Sequence, residues 1–138
     1  MSDIFSQTKR SNIMSKISCK NTKPEILVRK FLFSKGFRYR INVKTLPGKP
    51  DIVLPKYKIA IFVNGCFWHG HNCKKGKLPF SNIDFWREKI LNNKLRDNKN
   101  QAQLTLLGWK VIVIWQCEIN KIDNRIETFN KLLEDIRQ

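Results

Sequence analysis

The chain carries the stretch IAIFVNGCFWHGHNC from Ile59 to Cys73. It opens with five consecutive apolar residues, a pattern typical of a strand buried on both faces. The segment from Gly65 to Cys73 then holds both histidines, two of the four cysteines and an adjacent Phe-Trp pair. A buried strand that runs into a loop rich in metal ligands predicts a functional site at one end of a sheet.

The net charge of the chain indicates which class of molecule it binds. Lys and Arg number 27 against 11 acidic residues, which gives a net charge of +16. A small folded domain tolerates that self-repulsion most readily when its partner is a polyanion, and a merely basic protein is the plain alternative. The basic residues are spread along the chain, which favours a folded nucleic-acid surface over a disordered arm. No basic amphipathic helix or long apolar run indicates a membrane.

The sequence also predicts the cellular compartment and the domain organisation. The N-terminus lacks the pattern of a secretory signal, so we expect a cytoplasmic protein in which the cysteines bind metal or are buried, rather than form disulfides. Residues 1–20 form a polar, basic N-terminal segment with Ile13, Met14 and Ile17 on one helical stripe. That segment could pack on the body or order only on a ligand. Residues 21–138 are expected to form one domain.

Hydrophobic periodicity predicts the elements of this domain. The first helix has Thr22 and Glu25 as a capping box and Gly36 as its stop. The predicted elements are a helix Thr22–Gly36, strands Phe37–Val43, Asp51–Leu54 and Ile59–Val63, a helix Asn82–Leu107, a strand Trp109–Trp115 and a helix from Asp123. The buried helical positions are predicted to be Leu27, Val28, Phe31 and Leu32, then Trp86, Ile90, Leu104 and Leu107, and finally Ile126, Phe129, Leu133 and Ile136. This order predicts an α/β fold with a mixed sheet flanked by helices.

A zinc site is the first chemical hypothesis. Cys66, His71 and Cys73 lie within eight residues, and Cys117, just past the last strand, is the natural fourth ligand. Three cysteines and one histidine complete the tetrahedron of a structural zinc site. Spacing alone leaves open whether His69 replaces His71, and the isolated Cys19 is expected to be a buried cysteine.

A hydrolytic site is the second hypothesis. If His71 binds zinc, His69 is free to act as a general base on water beside a phosphate. Asp51 starts a strand directly after a proline, and with Glu25 it could hold the Mg²⁺ that phosphodiester hydrolysis commonly uses. Pro-Asp is also common in turns, and the capping role of Glu25 is favoured by the sequence. Phe67, Trp68 and Trp86 could stack on bases or wedge between them, although a single tryptophan is more often in a core.

Several motifs together carry a resemblance to a known family. They are Arg10-Ser-Asn-Ile-Met14, Leu46-Pro-Gly-Lys-Pro-Asp51, Val63-Asn-Gly-Cys-Phe-Trp-His-Gly-His-Asn-Cys73, Phe85-Trp-Arg-Glu-Lys89, Arg96-Asp97, Gly108-Trp109 and Trp115-Gln-Cys117. From about residue 8 to 120 the chain resembles the very short patch repair endonucleases. The resemblance implies a restriction-endonuclease-like core of the PD-(D/E)xK type, which nicks duplex DNA on the 5′ side of the thymine in T:G mismatches. Such mismatches arise when 5-methylcytosine deaminates.

The same resemblance assigns roles to residues. It implies that Asp51 and the main-chain carbonyl of Val63 hold Mg²⁺ and that His69 is the general base, assisted by Glu25 and Asp97. It implies a structural Zn²⁺ on Cys66, His71, Cys73 and Cys117. It implies that Phe67, Trp68, Trp86 and Met14 insert into DNA, with residues 1–20 clamping the duplex. A monomer suits an asymmetric target, and mismatch-repair proteins are compatible partners that the sequence does not identify.

Two departures bear on activity. Asn64 stands where the family usually has a histidine; an amide can donate a hydrogen bond but cannot titrate near neutral pH. The lysine usual in such nucleases is also absent, since Phe62-Val63-Asn64 occupies its place, which fits a histidine base. A related nickase with another mismatch or sequence trigger, and a catalytically weak zinc-stabilised DNA-binding module, therefore remain as alternatives.

Overall fold

The computed structural model of the chain describes residues 22–66, 71 and 81–138. The predicted N-terminal segment with Met14 and Cys19, and the residues Phe67, Trp68, His69 and Cys73, lie outside these ranges. The elements are α1 (Lys23–Ser34), β1 (Arg40–Ile41), β2 (Ile52–Leu54), β3 (Ile59–Asn64), α2 (Ile83–Leu106), β4 (Lys110–Trp115), α3 (Gln116–Asn120) and α4 (Ile122–Arg137). Within this part of the chain, no helix has both the length and the apolar character of a membrane span.

The four strands form one mixed sheet in the order β1-β2-β3-β4. The pairs β1/β2 and β2/β3 are antiparallel, while β3 and β4 are parallel. Parallel neighbours require a crossover, and α2 lies between β3 and β4 in sequence. The predicted α/β architecture with a mixed sheet and flanking helices is thereby confirmed.

Strand β3 lies at the centre of the sheet and of the core. Five of its residues are buried and only Phe62 is partly exposed, as predicted for a strand covered on both faces. The ring of Phe31 on α1 stacks on that of Phe129 on α4 at a centroid distance of 4.2 Å, which joins the first and last helices. The buried core consists of Val28, Leu32, Ile52, Leu54, Ile59, Ile61, Val63, Ile112, Ile114, Ile119, Leu132 and Ile136.

Glycines end α1 and α2 in the same way. Gly36 has a φ of +83°, and the N–H of Phe37 donates to the carbonyl of Leu32 at 3.0 Å. At the other helix, Gly108 has a φ of +90° and the N–H of Trp109 donates to Leu104 at 3.0 Å. Both are Schellman-type caps, in which a residue without Cβ adopts the left-handed conformation. The predicted stop at Gly36 is confirmed.

Two local predictions were wrong. Thr22 occupies the N-cap of α1, but its side chain makes no capping hydrogen bond, and the Glu25 carboxylate pairs with Arg29. The predicted strand Phe37–Val43 is reduced to Arg40–Ile41. Asn42, at a φ of +49°, ends the extended conformation, and Ile41 is left 43% exposed.

Two predicted core positions face solvent. Leu107 is 57% exposed because it is the C-cap residue of α2, where the chain reverses. Ile126 is 58% exposed because α4 turns its neighbour Arg125 inward, where Nε donates to the carbonyl of Ile119 at 2.7 Å. The buried face of α4 is centred instead on Leu132 and Ile136.

Candidate functional site

Strand register brings the candidate residues to one edge of the sheet. The antiparallel pair Ile52–Ile61 places Asp51, at the start of β2, beside the end of β3. The parallel pair Asn64–Trp115 ends β3 and β4 at the same level. Cys66 and Cys117 each follow their strand by two residues, so both fall just beyond this edge. A carboxyl group and two thiols that are distant in sequence therefore lie at the same end of the sheet.

The Asp51 carboxyl is held by the backbone of the central strand. Its Oδ2 accepts a hydrogen bond from the N–H of Val63 at 2.7 Å. Burial raises the pKa of Asp51 to about 7, against the lowering effect of that hydrogen bond. Glu25 raises this pKa further, while the positive charges of Arg29 and Lys49 lower it. A carboxyl that is costly to ionise where it lies is a physical sign of a functional position.

Glu25 is the second acid of the site. It lies in the first turn of α1 and is only 4% exposed. Its Oε2 accepts a hydrogen bond from Nη2 of Arg29 at 3.0 Å. Because Glu25 raises the pKa of Asp51, the two carboxyls lie within electrostatic reach of each other. The residue that the sequence favoured as a cap thus faces the candidate site.

The turn before Asp51 packs closely against α2 and β3. Gly48 and Lys49 both have left-handed backbones, with φ of +75° and +50°. A Cβ at Gly48 would lie 2.9 Å from Cβ of Asn100 on α2 and 3.2 Å from the Phe62 ring. Asp97 precedes Asn100 by three residues on α2, which places it on the same helix face. The turn therefore brings this face of α2 next to the Pro-Asp segment.

Two other predicted site residues are partly or fully covered. Asn64 ends β3 and is 6% exposed, so its amide sits within the sheet edge rather than on the surface. Trp86 lies on the first turn of α2, half-buried. Its ring meets Phe85 edge-on at a centroid distance of 5.2 Å, and Phe85 itself is 57% exposed. The start of α2 thus offers an aromatic pair next to solvent.

Three of the four predicted zinc ligands are brought together. The ligand atoms of Cys66, His71 and Cys117 all lie within 4.8 Å of one another, and Sγ of Cys117 is 3.5 Å from Nδ1 of His71. The N–H of His71 donates to the carbonyl of Cys66 at 2.9 Å. The His71 ring stacks on Trp115 at 4.2 Å, nearly parallel. These two contacts fix the imidazole beside the thiols.

The two donor sets suit different ions. Two thiols and an imidazole at this spacing fit a tetrahedral zinc site that lacks one further ligand. Asp51 offers a hard oxygen donor in a buried position, and Glu25 adds a second negative charge nearby. Such a pair suits Mg²⁺, which takes oxygen ligands.

Three residues of the site were not predicted from the sequence. Arg29 pairs with Glu25 at a spacing of four along α1, a pattern visible in the sequence. Lys49 immediately precedes the Pro-Asp dipeptide, and its charge acts on Asp51. Trp115 was predicted as a strand residue and as part of the motif Trp115-Gln-Cys117, without a role of its own. Its stacking on His71 depends on the tertiary fold.

Several known proteins are similar to this chain in sequence. Residues 2–75 match the family model described as DNA mismatch endonuclease Vsr. The chain is 56% identical over 137 residues to a type II nicking enzyme, V.NmeAIP of Neisseria meningitidis, covering 99% of this chain and 98% of that protein. It is 47% identical to V.XorIIP, a type II nicking enzyme of Xanthomonas oryzae, over 88% and 90% of the two chains.

A relative of a different name agrees with the family match. The chain is 37% identical over 119 residues to the DNA mismatch endonuclease Vsr of Escherichia coli, covering 86% of this chain and 76% of that protein. The family match, these three relatives and the acidic site at the sheet edge lead to one assignment. The chain belongs to the Vsr family of DNA endonucleases.

Proposed function

We propose that this endonuclease nicks duplex DNA on the 5′ side of the thymine in a T:G mismatch and so begins very short patch repair. The observation that carries the proposal is the buried Asp51 carboxyl, set beside Glu25 at the sheet edge where Cys66 and Cys117 also lie. The names of the family and of the Escherichia coli relative, both mismatch endonucleases, support the choice of substrate.

The acids and the end of β3 would hold the catalytic ion. Asp51 and the main-chain carbonyl of Val63 are the proposed Mg²⁺ ligands; the hydrogen bond from the N–H of Val63 keeps the carboxyl beside this strand. When held there, the ion would supply positive charge against the charge that develops on the phosphate oxygens. His69 accepts the proton of the attacking water on a ring nitrogen. Glu25 and Asp97 orient the water and the imidazole by accepting hydrogen bonds.

Asn64 takes the place of a titrating side chain in this reaction. Its amide N–H can donate a hydrogen bond to a phosphate or leaving-group oxygen at any pH near neutrality. Burial at the sheet edge, with 6% exposure, fixes the direction of that donor. His69 then carries proton transfer without a second histidine.

A structural zinc would hold the loop that follows β3. Cys73 is the proposed fourth ligand with Cys66, His71 and Cys117, which closes the tetrahedron. A closed set of four protein ligands leaves no position for water, so the zinc would stabilise the fold and take no part in hydrolysis. It would tie the loop containing His69 to the end of β4.

DNA recognition would combine charge and insertion. The net charge of +16 favours binding along phosphates whatever the sequence. Phe67, Trp68 and Trp86, with Met14 from the opposite side, would insert beside the mismatch and unstack it. Residues 1–20 would clamp the duplex as an arm on the 21–138 endonuclease domain. The proposed enzyme is a monomer, and mismatch-repair proteins are its candidate partners.

A nicking assay tests the proposal directly. Three end-labelled duplexes that differ in a single pair, T:G, T:A and C:G, are incubated with the enzyme and Mg²⁺. The expected product is a cut on the thymine strand of the T:G duplex, on the 5′ side of the thymine. Equal cutting of all three duplexes would refute mismatch recognition.

A second candidate function is nicking with a different trigger. It is favoured by the names of two relatives, which are type II nicking enzymes. A panel of other mismatches and of flanking sequences around T:G separates the two. Faster cutting at another mismatch than at T:G in every flanking sequence would favour the second candidate.

A further inference from the structure

Arg29 is a buried cation in the acidic part of the site. It lies on α1, one turn after Glu25, and its side chain is 11% exposed against 5% for that of its partner. Nη2 donates to Oε2 of Glu25 at 3.0 Å. The same guanidinium acts on Asp51, so one positive charge faces both acids.

This pair differs from an ordinary helix-surface ion pair. Exposed pairs at a spacing of four contribute little because water screens them. Here both side chains are almost covered, and ionised groups in such a place require a partner. Without Arg29, two carboxyls in mutual reach would favour sharing a proton over ionising together. Arginine stays charged at every working pH.

We propose that Arg29 is a positioning residue of the nuclease site, which keeps the Glu25 carboxylate ionised and fixed in orientation beside Asp51. The inference rests on the proposed function, since Glu25 there orients water and the catalytic imidazole as a hydrogen-bond acceptor. A protonated Glu25 would accept those hydrogen bonds more weakly, and a rotated Glu25 would not reach them. The guanidinium would act mainly through Glu25, to which it is hydrogen-bonded, because its effect on Asp51 is weaker than those of burial and of Glu25. It would not touch the DNA.

The test is a double-mutant cycle on the full chain. Arg29→Met removes the charge and keeps a long unbranched side chain, Glu25→Gln removes the partner charge, and the double variant removes both. Arg29→Lys keeps the charge without the planar fork. Lys30→Met, one residue on and exposed, removes the same charge away from the acids. Single-turnover nicking rates, KM for DNA and melting temperatures without added Mg²⁺ are measured for each.

Coupling in the rate is the main expected result. Arg29→Met should lower the nicking rate about 10–100-fold, the range seen when an orienting partner is removed, with little change in KM. The double variant should cut no more slowly than Glu25→Gln alone, because Arg29 acts through that carboxylate. Arg29→Lys should recover part of the loss and Lys30→Met should show none of it.

Stability gives a readout that does not depend on metal or DNA. Arg29→Met should melt lower than wild type, and the double variant should melt higher than Arg29→Met, because it leaves no uncompensated buried charge. Should Arg29→Met fail to fold, a folded double variant supports the pairing, and its rate is compared with those of Glu25→Gln and Arg29→Lys. A double variant that is no more stable than Arg29→Met counts against the pairing.

Separate outcomes overturn the two proposals. Rate losses that multiply in the double variant, or an equal loss in Lys30→Met, would overturn the role of Arg29. A wild-type enzyme that does not prefer T:G would overturn the proposed substrate. The coupling can then still be measured on whichever duplex the enzyme nicks.

Discussion

Replacing Asp51 by asparagine should stabilise the protein while it abolishes nicking. In the protein without Mg²⁺, the Asp51 carboxyl ionises reluctantly because it is buried, with a pKa of about 7 in place of 3.8. An asparagine carries no charge, and its side-chain oxygen can still accept the hydrogen bond from the N–H of Val63. The variant therefore avoids the free-energy cost of a buried charge and keeps the local geometry. Such gains in stability are common where a functional residue is replaced.

The size of the effect follows from the two pKa values. They differ by about three pKa units, each corresponding to about 1.4 kcal/mol, so full ionisation costs about 4 kcal/mol. Between the two pKa values the folded state binds more protons than the unfolded state, so wild-type stability falls as pH rises. The loss begins above the unfolded pKa and is complete above the folded pKa. From pH 5 to pH 8 the advantage of Asp51→Asn should grow by about 2.5 kcal/mol.

Chemical denaturation of the two proteins at several pH values, without added Mg²⁺, measures this difference. Comparing variant with wild type cancels the titration of the groups that do not interact with Asp51. Glu127→Gln, at an exposed position of α4, controls for the loss of a carboxylate elsewhere. Added Mg²⁺ should then stabilise wild type and leave Asp51→Asn unchanged, because a ligand stabilises only the state that binds it.

Two results would refute this reasoning. A difference in stability that does not change from pH 5 to pH 8 would mean that the Asp51 carboxyl is not destabilised by burial. An Asp51→Asn protein that nicks the T:G duplex at the wild-type rate would remove Asp51 from the catalytic centre.

Other predictions concern the turn, the thiol cluster and DNA binding. Gly48→Ala should destabilise the fold by about 1–3 kcal/mol, because its Cβ would lie 2.9 Å from Cβ of Asn100 at a φ of +75°; a wild-type denaturation midpoint would contradict this. Cys117→Ser should lose zinc, measured by elemental analysis, and melt at a lower temperature; one zinc per chain retained would exclude Cys117 as a ligand. DNA affinity should fall steeply from low to high salt, and a flat response would argue against phosphate contacts.

The contrast between Glu25 and Gly36 shows what a local pattern can decide. Gly36 was predicted as a helix stop, and it is one, since a Schellman cap depends only on backbone within a few residues. The capping-box pattern of Thr22 and Glu25 is equally local, but the cap does not form. A buried carboxylate is stabilised more by a guanidinium one turn away than by a single backbone N–H. Whether Glu25 is buried depends on the tertiary structure, which a local pattern does not contain.

Amphipathic patterns predicted where the helices lie in the sequence, but not which side of each helix is buried. The predicted stripe on α4 included Ile126, which is exposed, because the helix turns the neighbouring Arg125 inward to the carbonyl of Ile119. The apolar run from Ile59 to Val63, in contrast, was predicted as buried on both faces and is. An uninterrupted apolar run is apolar on both faces of the strand. Its burial therefore does not depend on which face the neighbouring elements cover.

By itself, the sequence determined the α/β class, the order of the main elements and the family. These depend on composition, period and motif, which are properties of short segments. Only the tertiary structure decided that Asp51, Glu25 and Arg29 form one charged cluster and that Cys66, His71 and Cys117 converge beside it. The physical reason is register, because the antiparallel pairing of β2 with β3 and the parallel pairing of β3 with β4 bring distant segments to a single edge of the sheet.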